Sequence, residues 1–219
     1  MEQLVLTIGS RNYSSWSLRA WLVIEQTGAP FTEDLIWLDE DQNRAERLKR
    51  GPTGRVPVLR HGDVVVWDSL AIAEYLAELF PAAGLWPADR VARARARSVS
   101  AEMHSGFFAI REKMPLNCRA RKAFIDRGAD VAQEIRRVIA LWNEARGRFG
   151  SGGPFLFGAR SIADAFYAPV VCRFDTYGVA LDGVAAEYAA AVRAMPAMRT
   201  WLEKAAAETH SEPEYDDVP

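Results

Sequence analysis

An α/β domain built on a four-stranded mixed sheet, followed by an all-α helical bundle, is the fold class this sequence predicts. Three observations carry it. Short apolar strand patterns alternate with helical ones through the first 80 residues. A proline stands immediately before an apolar strand, at Val56-Pro57. From Ala88 to about Glu208 the apolar spacing is helical, with no convincing strand. Pro81, Gly84 and Pro87 punctuate the chain between the two regimes. The expected organisation is a first domain over residues 1–80, a linker over 81–88, a helical domain over 89–208 and a frayed acidic tail over 209–219.

Leu4 to Ile8 is a β-branched apolar run ending at Gly9, as a buried strand should. After a loop from Ser10 to Tyr13, Leu18, Trp21, Leu22 and Ile24 recur at helical spacing from Ser17 until Gly28, which suits the position just past a helix end. Ser14, Ser15 and Ser17 therefore crowd a helix N-terminus. Phe31 to Leu38 reads as a second strand, and the polar stretch Gln42 to Arg50 as a surface helix. The strand after Pro57, a tight turn at Gly62, the run Val64-Val65-Val66 and a helix from Ser69 to about Glu78 complete the first half. The order β-α-β-α-β-β-α is that of a thioredoxin-like domain. In the second half, breaks fall at Pro115, Gly150 to Pro154, Gly178 and Met195-Pro196.

Composition excludes several classes. The 219 residues are 49% hydrophobic and 26% charged with formal net charge -2, ordinary for a globular chain and without a basic footprint for nucleic acid or an anionic membrane. Arg90, Arg93, Arg95 and Arg97 read as a solvated helix face. No apolar run approaches the roughly 20 residues that span a bilayer, and the chain opens on a strand pattern, so a cytoplasmic protein is expected. Cys118 and Cys172 are distant in sequence, and no histidines cluster, so neither a disulfide framework nor a metal site is expected.

The chemistry concentrates around Val56-Pro57. A proline cannot donate to a sheet ladder, so the chain must turn there, usually through a cis bond, leaving the Val56 backbone groups unpaired. Free N–H and C=O groups beside a sheet edge can capture an extended peptide, and Ser69 at a helix start offers a hydroxyl and amides to an anion. Together they form a cradle for a small acidic peptide.

The two-domain arrangement, with Pro52-Thr53-Gly54-Arg55-Val56-Pro57-Val58-Leu59, then Asp68-Ser69-Leu70-Ala71-Ile72-Ala73-Glu74-Tyr75-Leu76, and later Phe155 to Asp164, resembles the cytosolic glutathione S-transferases over nearly the whole chain. Within the later motif, Ser161 and Asp164 have the spacing of a capping box, a structural role. Asn12 to Arg19 resembles the serine-type active-site loop of the zeta and related bacterial classes, and Ser14-x-x-Ser17 falls where a redox relative carries two cysteines.

What the resemblance implies is specific. Glutathione is the co-substrate, with the Val56 backbone pairing its cysteinyl unit beside Pro57, and Asp68 and Ser69 holding its γ-glutamyl amine and carboxylate. Arg44, Lys49 and Arg55 are the candidates for its glycine carboxylate. The physics agrees: a free thiol ionises at about 8.5, and lowering that by about 2 units takes about 2.7 kcal/mol, within reach of one hydroxyl donor plus a helix end. Ser14 is the expected donor, with Ser15 the alternative and Tyr13 a competitor. The electrophile is expected beside Met103, His104, Phe107, Phe108 and Arg111, which recur at helical spacing and would line an apolar pocket. Of these, Met103, Phe107 and Arg111 are the named pocket candidates, Arg111 suiting an anionic substrate. The implied activity is transfer of glutathione to a small, hydrophobic electrophile in a homodimer. A maleylacetoacetate-type cis-trans isomerase is the alternative, though Trp16 replaces the zeta-type cysteine. A non-catalytic binding protein on the same fold is the other.

Overall fold

The computed structural model describes residues 2–37 and 44–219. Its first half is a four-stranded mixed sheet in the order β2-β1-β3-β4. The central strand β1 (Leu4–Ile8) runs parallel to β2 (Phe31–Leu35) and antiparallel to β3 (Val58–His61), which in turn pairs antiparallel with β4 (Val64–Trp67). Gly62, at φ 57, makes the tight turn between β3 and β4, a conformation glycine adopts without steric cost. The strand expected to reach Leu38 ends its pairing at Leu35. Leu38 and the expected helix start at Gln42 lie outside the described residues, and α2 spans Arg44–Arg50.

Helix α1 (Ser15–Gln26) begins earlier than the apolar period suggests, because Ser14 caps it. Gly28 follows its end at φ 70, as expected. Helix α3 (Ser69–Leu79) is capped by Asp68 and followed by a single 3-10 turn, Pro81–Ala83. The second half consists of α4 (Arg90–Ser105), α5 (Phe108–Lys113), α6 (Ala129–Phe149), α7 (Ile162–Thr176), α8 (Gly183–Ala194), α9 (Pro196–Ala207) and the short α10 (Pro213–Asp216). No helix among the described residues is long and apolar enough to cross a membrane.

Helix α7 is the bundle's axis, buried along almost all its length, and it packs against both α1 and α4. Its start matches the expected capping box: Asp164 accepts from Ser161 N at 2.8 Å and from the Ser161 hydroxyl at 3.1 Å. Asp164 also reaches Leu156 N at 3.1 Å, holding the preceding loop. Burial raises its pKa from 3.8 to about 6, against the lowering effect of these donors.

Packing corrects the expected fraying of the tail, and it gives partners to residues read from sequence as a solvated face and as unpaired thiols. The arginine face of α4 is not idle in solvent: Arg95 pairs with Glu144 of α6 at 2.5 Å and Arg97 with Glu74 of α3 at 3.2 Å. Cys118 and Cys172 are both buried free thiols that meet in the core, where the Cys172 thiol and burial push the Cys118 thiol up. The tail expected to fray is docked. Asp216 accepts from the Tyr13 hydroxyl at 2.8 Å and from Asn117 Nδ2 at 2.7 Å, Tyr215 lies 5.4 Å from the Tyr13 ring, and His210 stacks on Trp37 at 4.6 Å.

Candidate functional site

A cleft of about 430 Å³ opens between the halves, lined by Trp16, Thr53, Arg55, Val56, Pro57, Trp67, Asp68, Ser69 and His104. It collects Val56, Pro57, Asp68 and Ser69 from two segments that the sheet brings side by side. The Val56-Pro57 bond is cis. Neither backbone group of Val56 takes a hydrogen bond among the described residues. Ser69 is 1% exposed at the first turn of α3, and its hydroxyl has no partner. A buried hydroxyl left without a partner at a helix N-terminus is a place for an acceptor, and an anion suits it.

Asp68 performs two tasks at once. Its Oδ1 accepts from Leu70 N at 2.8 Å, capping α3, while its Oδ2 lies 3.2 Å from Nε2 of His104 on α4. Its backbone sits at φ 75, ψ 132, a conformation costing a non-glycine residue about 1–3 kcal/mol. Of the three cations considered for a carboxylate, Arg55 lines the cleft and has no ion pair among the described residues. Lys49 pairs with Glu46, and Arg44 does not line the cleft.

The serines lie behind this wall rather than in it. Ser14 and Ser15 are 6% and 5% exposed. The Ser14 hydroxyl accepts from Ser17 N at 3.2 Å and donates to Ser17 Oγ at 2.8 Å, which also accepts from Gly9 N at 3.0 Å. The Ser15 hydroxyl makes no hydrogen bond among the described residues, so of the pair it is the one whose proton is uncommitted. Tyr13 points the other way. Burial and the Asp216 carboxylate raise its pKa, and Arg119 and the tail hold its oxygen.

The first turn of α1 is fixed from below by Glu208. Its carboxylate accepts from the Ser10 hydroxyl at 2.8 Å and from Arg11 N at 2.9 Å and Asn12 N at 3.3 Å, so the end of the helical half holds the loop that delivers the serines.

Met103 to Arg111 do not share one helix. The chain breaks at Gly106, and Phe107 takes a left-handed conformation at φ 58 before α5 begins. Met103 and Phe107 turn into the core at 0% and 7% exposure, whereas Phe108 points outward at 70%. Arg111 folds back to donate Nε to Gly106 O at 2.9 Å and Nη2 to Met103 O, closing the end of α4. It therefore reaches the cleft only through Trp16, over whose ring its guanidinium stands at 4.8 Å.

His104, named by sequence with the expected pocket, does line the cleft, whereas Trp16 in the cleft and Arg19 behind it were not singled out. One signal was present: Arg19 falls among Leu18, Trp21 and Leu22 on a stripe that is otherwise apolar, three residues after Trp16. Burial lowers the His104 pKa from 6.5; Asp68 opposes the shift, and Arg19 and Arg111 add to it. Among the described residues, no group of three His, Cys, Asp or Glu side chains is placed to hold a metal ion.

Comparison with known proteins bears on the family of the fold. The chain matches the family models "Glutathione S-transferase, N-terminal domain" over residues 13–79 and "Glutathione S-transferase, C-terminal domain" over residues 89–204. A Burkholderia glutathione transferase homolog, solved with bound glutathione, superposes with a TM-score of 0.70 at 25% identity, covering 95% of this chain and 100% of that one. A stringent starvation protein A homolog of Haemophilus ducreyi is 24% identical over 185 residues, 83% of this chain and 80% of the relative. The maleylacetoacetate isomerase of Pseudomonas aeruginosa is 29% identical over 143 residues, 62% of this chain and 64% of the relative.

Proposed function

Because this chain belongs to the glutathione S-transferase family, we propose that it binds glutathione in the cleft between Val56 and Ser69 and promotes attack of the thiolate on a small electrophile. The observation that carries this reading is the pair of unfulfilled groups in one wall: the free backbone of Val56 and the partnerless hydroxyl of Ser69. An extended tripeptide supplies the matching donor and acceptor for the first, and its γ-glutamyl carboxylate an acceptor for the second. Asp68 complements the amine, and Arg55 the glycine carboxylate.

The serine pair at the start of α1 supplies the hydroxyl that favours the thiolate, assisted by the helix end. Ser15 is free to donate as it stands, and Ser14 donates once its proton leaves Ser17. In conjugation the sulfur forms a bond to the electrophilic carbon, the thiol proton passes to solvent, and the leaving group departs. Similarity to the Pseudomonas isomerase supports a second reading, in which glutathione adds to a double bond and leaves again. We also take the protein to be a homodimer, on the exposed apolar groove of Val65, Val66, Trp67, Leu70 and Ala71.

Retention on immobilised glutathione, together with conjugation of chlorodinitrobenzene, tests the proposal. Retention with turnover, weakened retention in Ser69→Ala, and lost turnover in the Ser14→Ala, Ser15→Ala double variant are expected. Failure to bind glutathione at millimolar concentration overturns it.

A further inference from the structure

Arg19 is the least explained group in the molecule. It is 0% exposed, and Nε, Nη1 and Nη2 all lack a hydrogen-bond partner. Its guanidinium lies 4.5 Å from the Trp16 ring and 5.1 Å from the Phe166 ring. Two further guanidiniums press on it, those of Arg111 and Arg173, and Arg173 leaves its own buried Nη1 unpartnered. Asp68, the acid that acts on Arg19 from nearby, makes no hydrogen bond to it: its carboxylate caps α3 and meets His104.

Magnitudes decide how to read this. A desolvated cation–π contact returns only part of what burying an unpaired ion costs, even after relaxation. Two aromatic faces therefore do not repay the burial of Arg19 beside two like charges. The missing term is an anion. Access runs through Trp16, which lines the cleft, is only partly buried and makes no hydrogen bond among the described residues, its ring lying against the guanidiniums of Arg19 and Arg111 and edge-on to His104.

We propose that Arg19 receives a carboxylate carried by the electrophile, uncovered when the Trp16 ring swings aside, so that the second substrate of this site is an aryl or alkenyl carboxylic acid. A planar guanidinium with every donor free matches a carboxylate through two parallel bonds. The proposal rests on the glutathione-binding reading, which assigns both glutathione carboxylates elsewhere, to Ser69 and Arg55. Aromatic walls from Trp16 and Phe166 suit the ring or double bond that joins the acid to the reacting carbon.

The test compares 4-chloro-3-nitrobenzoate with its methyl ester as electrophiles in wild type, Arg19→Met and Arg19→Lys. Each electrophile's kcat/KM is divided by its uncatalysed rate constant with glutathione, because the ester is intrinsically the more activated. In the acid-to-ester ratio so normalised, charge-assisted bonds of the expected strength give the acid an advantage of about 10- to 100-fold over the ester. The acid-to-ester ratio should collapse to about 1 in Arg19→Met and stay intermediate in Arg19→Lys, whose single ammonium cannot form the double bond. Calorimetric titration with benzoate gives a readout independent of turnover. Wild type should bind it at one site, in competition with the electrophile and not with glutathione, and Trp16→Ala should tighten it by uncovering Arg19.

A wild-type ratio near 1, or benzoate binding unchanged by Arg19→Met, overturns the inference. So does benzoate that competes only with glutathione. If Arg19→Met does not fold, the wild-type ratio and the Trp16→Ala titration decide the matter between them. Absence of turnover with both electrophiles, together with no retention on glutathione, would sink the transferase reading and leave the benzoate titration to judge Arg19 alone.

Discussion

Oδ2 of Asp68 stands 3.2 Å from Nε2 of His104, so the residue that caps the third helix of the sheet domain is also tied to the first helix of the bundle. The contact joins the two halves at the mouth of the cleft, and it is made by a histidine that burial keeps neutral near pH 7.

That neutrality has a measurable sign. The folded His104 takes up its proton at lower pH than the unfolded chain, so between its folded pKa and 6.5 the unfolded state binds more protons and stability falls as pH falls. The drop in thermal midpoint from pH 7.5 to 5.5 should be larger in wild type than in His104→Asn, which cannot titrate. Equal drops would remove His104 from the account.

Asp164 titrates in the opposite sense. Its pKa, raised from 3.8 to about 6, means that the folded state binds the extra proton, so its contribution to stability is lost as pH rises from 3.8 through 6. Asp164→Ala leaves Leu156 N, Ser161 N and the Ser161 hydroxyl without their acceptor, and should cost about 2 kcal/mol in urea unfolding at pH 7. Ser161→Ala should cost about 1 kcal/mol, since the Ser161 amide keeps its bond.

The two serines separate by readout. Ser14→Ala removes a helix cap and should lower stability by about 1 kcal/mol, whereas Ser15→Ala removes no cap and should leave unfolding nearly unchanged. The pKa of bound glutathione, followed by thiolate absorbance in the ultraviolet, should rise by about 1–2 units in the variant that lacks the donor. No rise in either single variant or the double variant would take the serines out of the chemistry.

Glu208 should matter to rate as well as to stability. Glu208→Ala strips the acceptor from four donors of the loop before Ser14, the Ser10 hydroxyl, Arg11 N and Nη1, and Asn12 N, and should reduce kcat/KM about 10-fold while costing about 1–3 kcal/mol. Glu208→Gln, which keeps one carbonyl oxygen, should recover part of both. A stability loss with kinetics unaltered would mean that the loop keeps its shape without this residue.

Local signals made much of this legible. The bend at Val56-Pro57, the cap pair at Ser161 and Asp164 and the glycine at Gly28 each depend on neighbours within a few residues, and sequence spacing records such relations. What stayed hidden depends on contacts between distant segments. Nothing near Glu208 announces that it will grip Arg11 and Asn12, and nothing in the spacing of Met103 and Arg111 announces the break at Gly106-Phe107. Arg19 was visible as a misplaced charge in an apolar stripe, but that it stays partnerless emerges only once Trp16 and Phe166 are seen around it.

The backbone at Asp68, held at φ 75, sets two kinds of selection against each other. Glycine there would relax the main chain and at the same stroke delete the acid that closes the cleft. A library of variants enriched only for survival of heating should therefore drift toward glycine at this codon, and one enriched for ligand capture should hold on to aspartate. The sequencing counts at that single codon would reveal which of the two pressures a given population has felt.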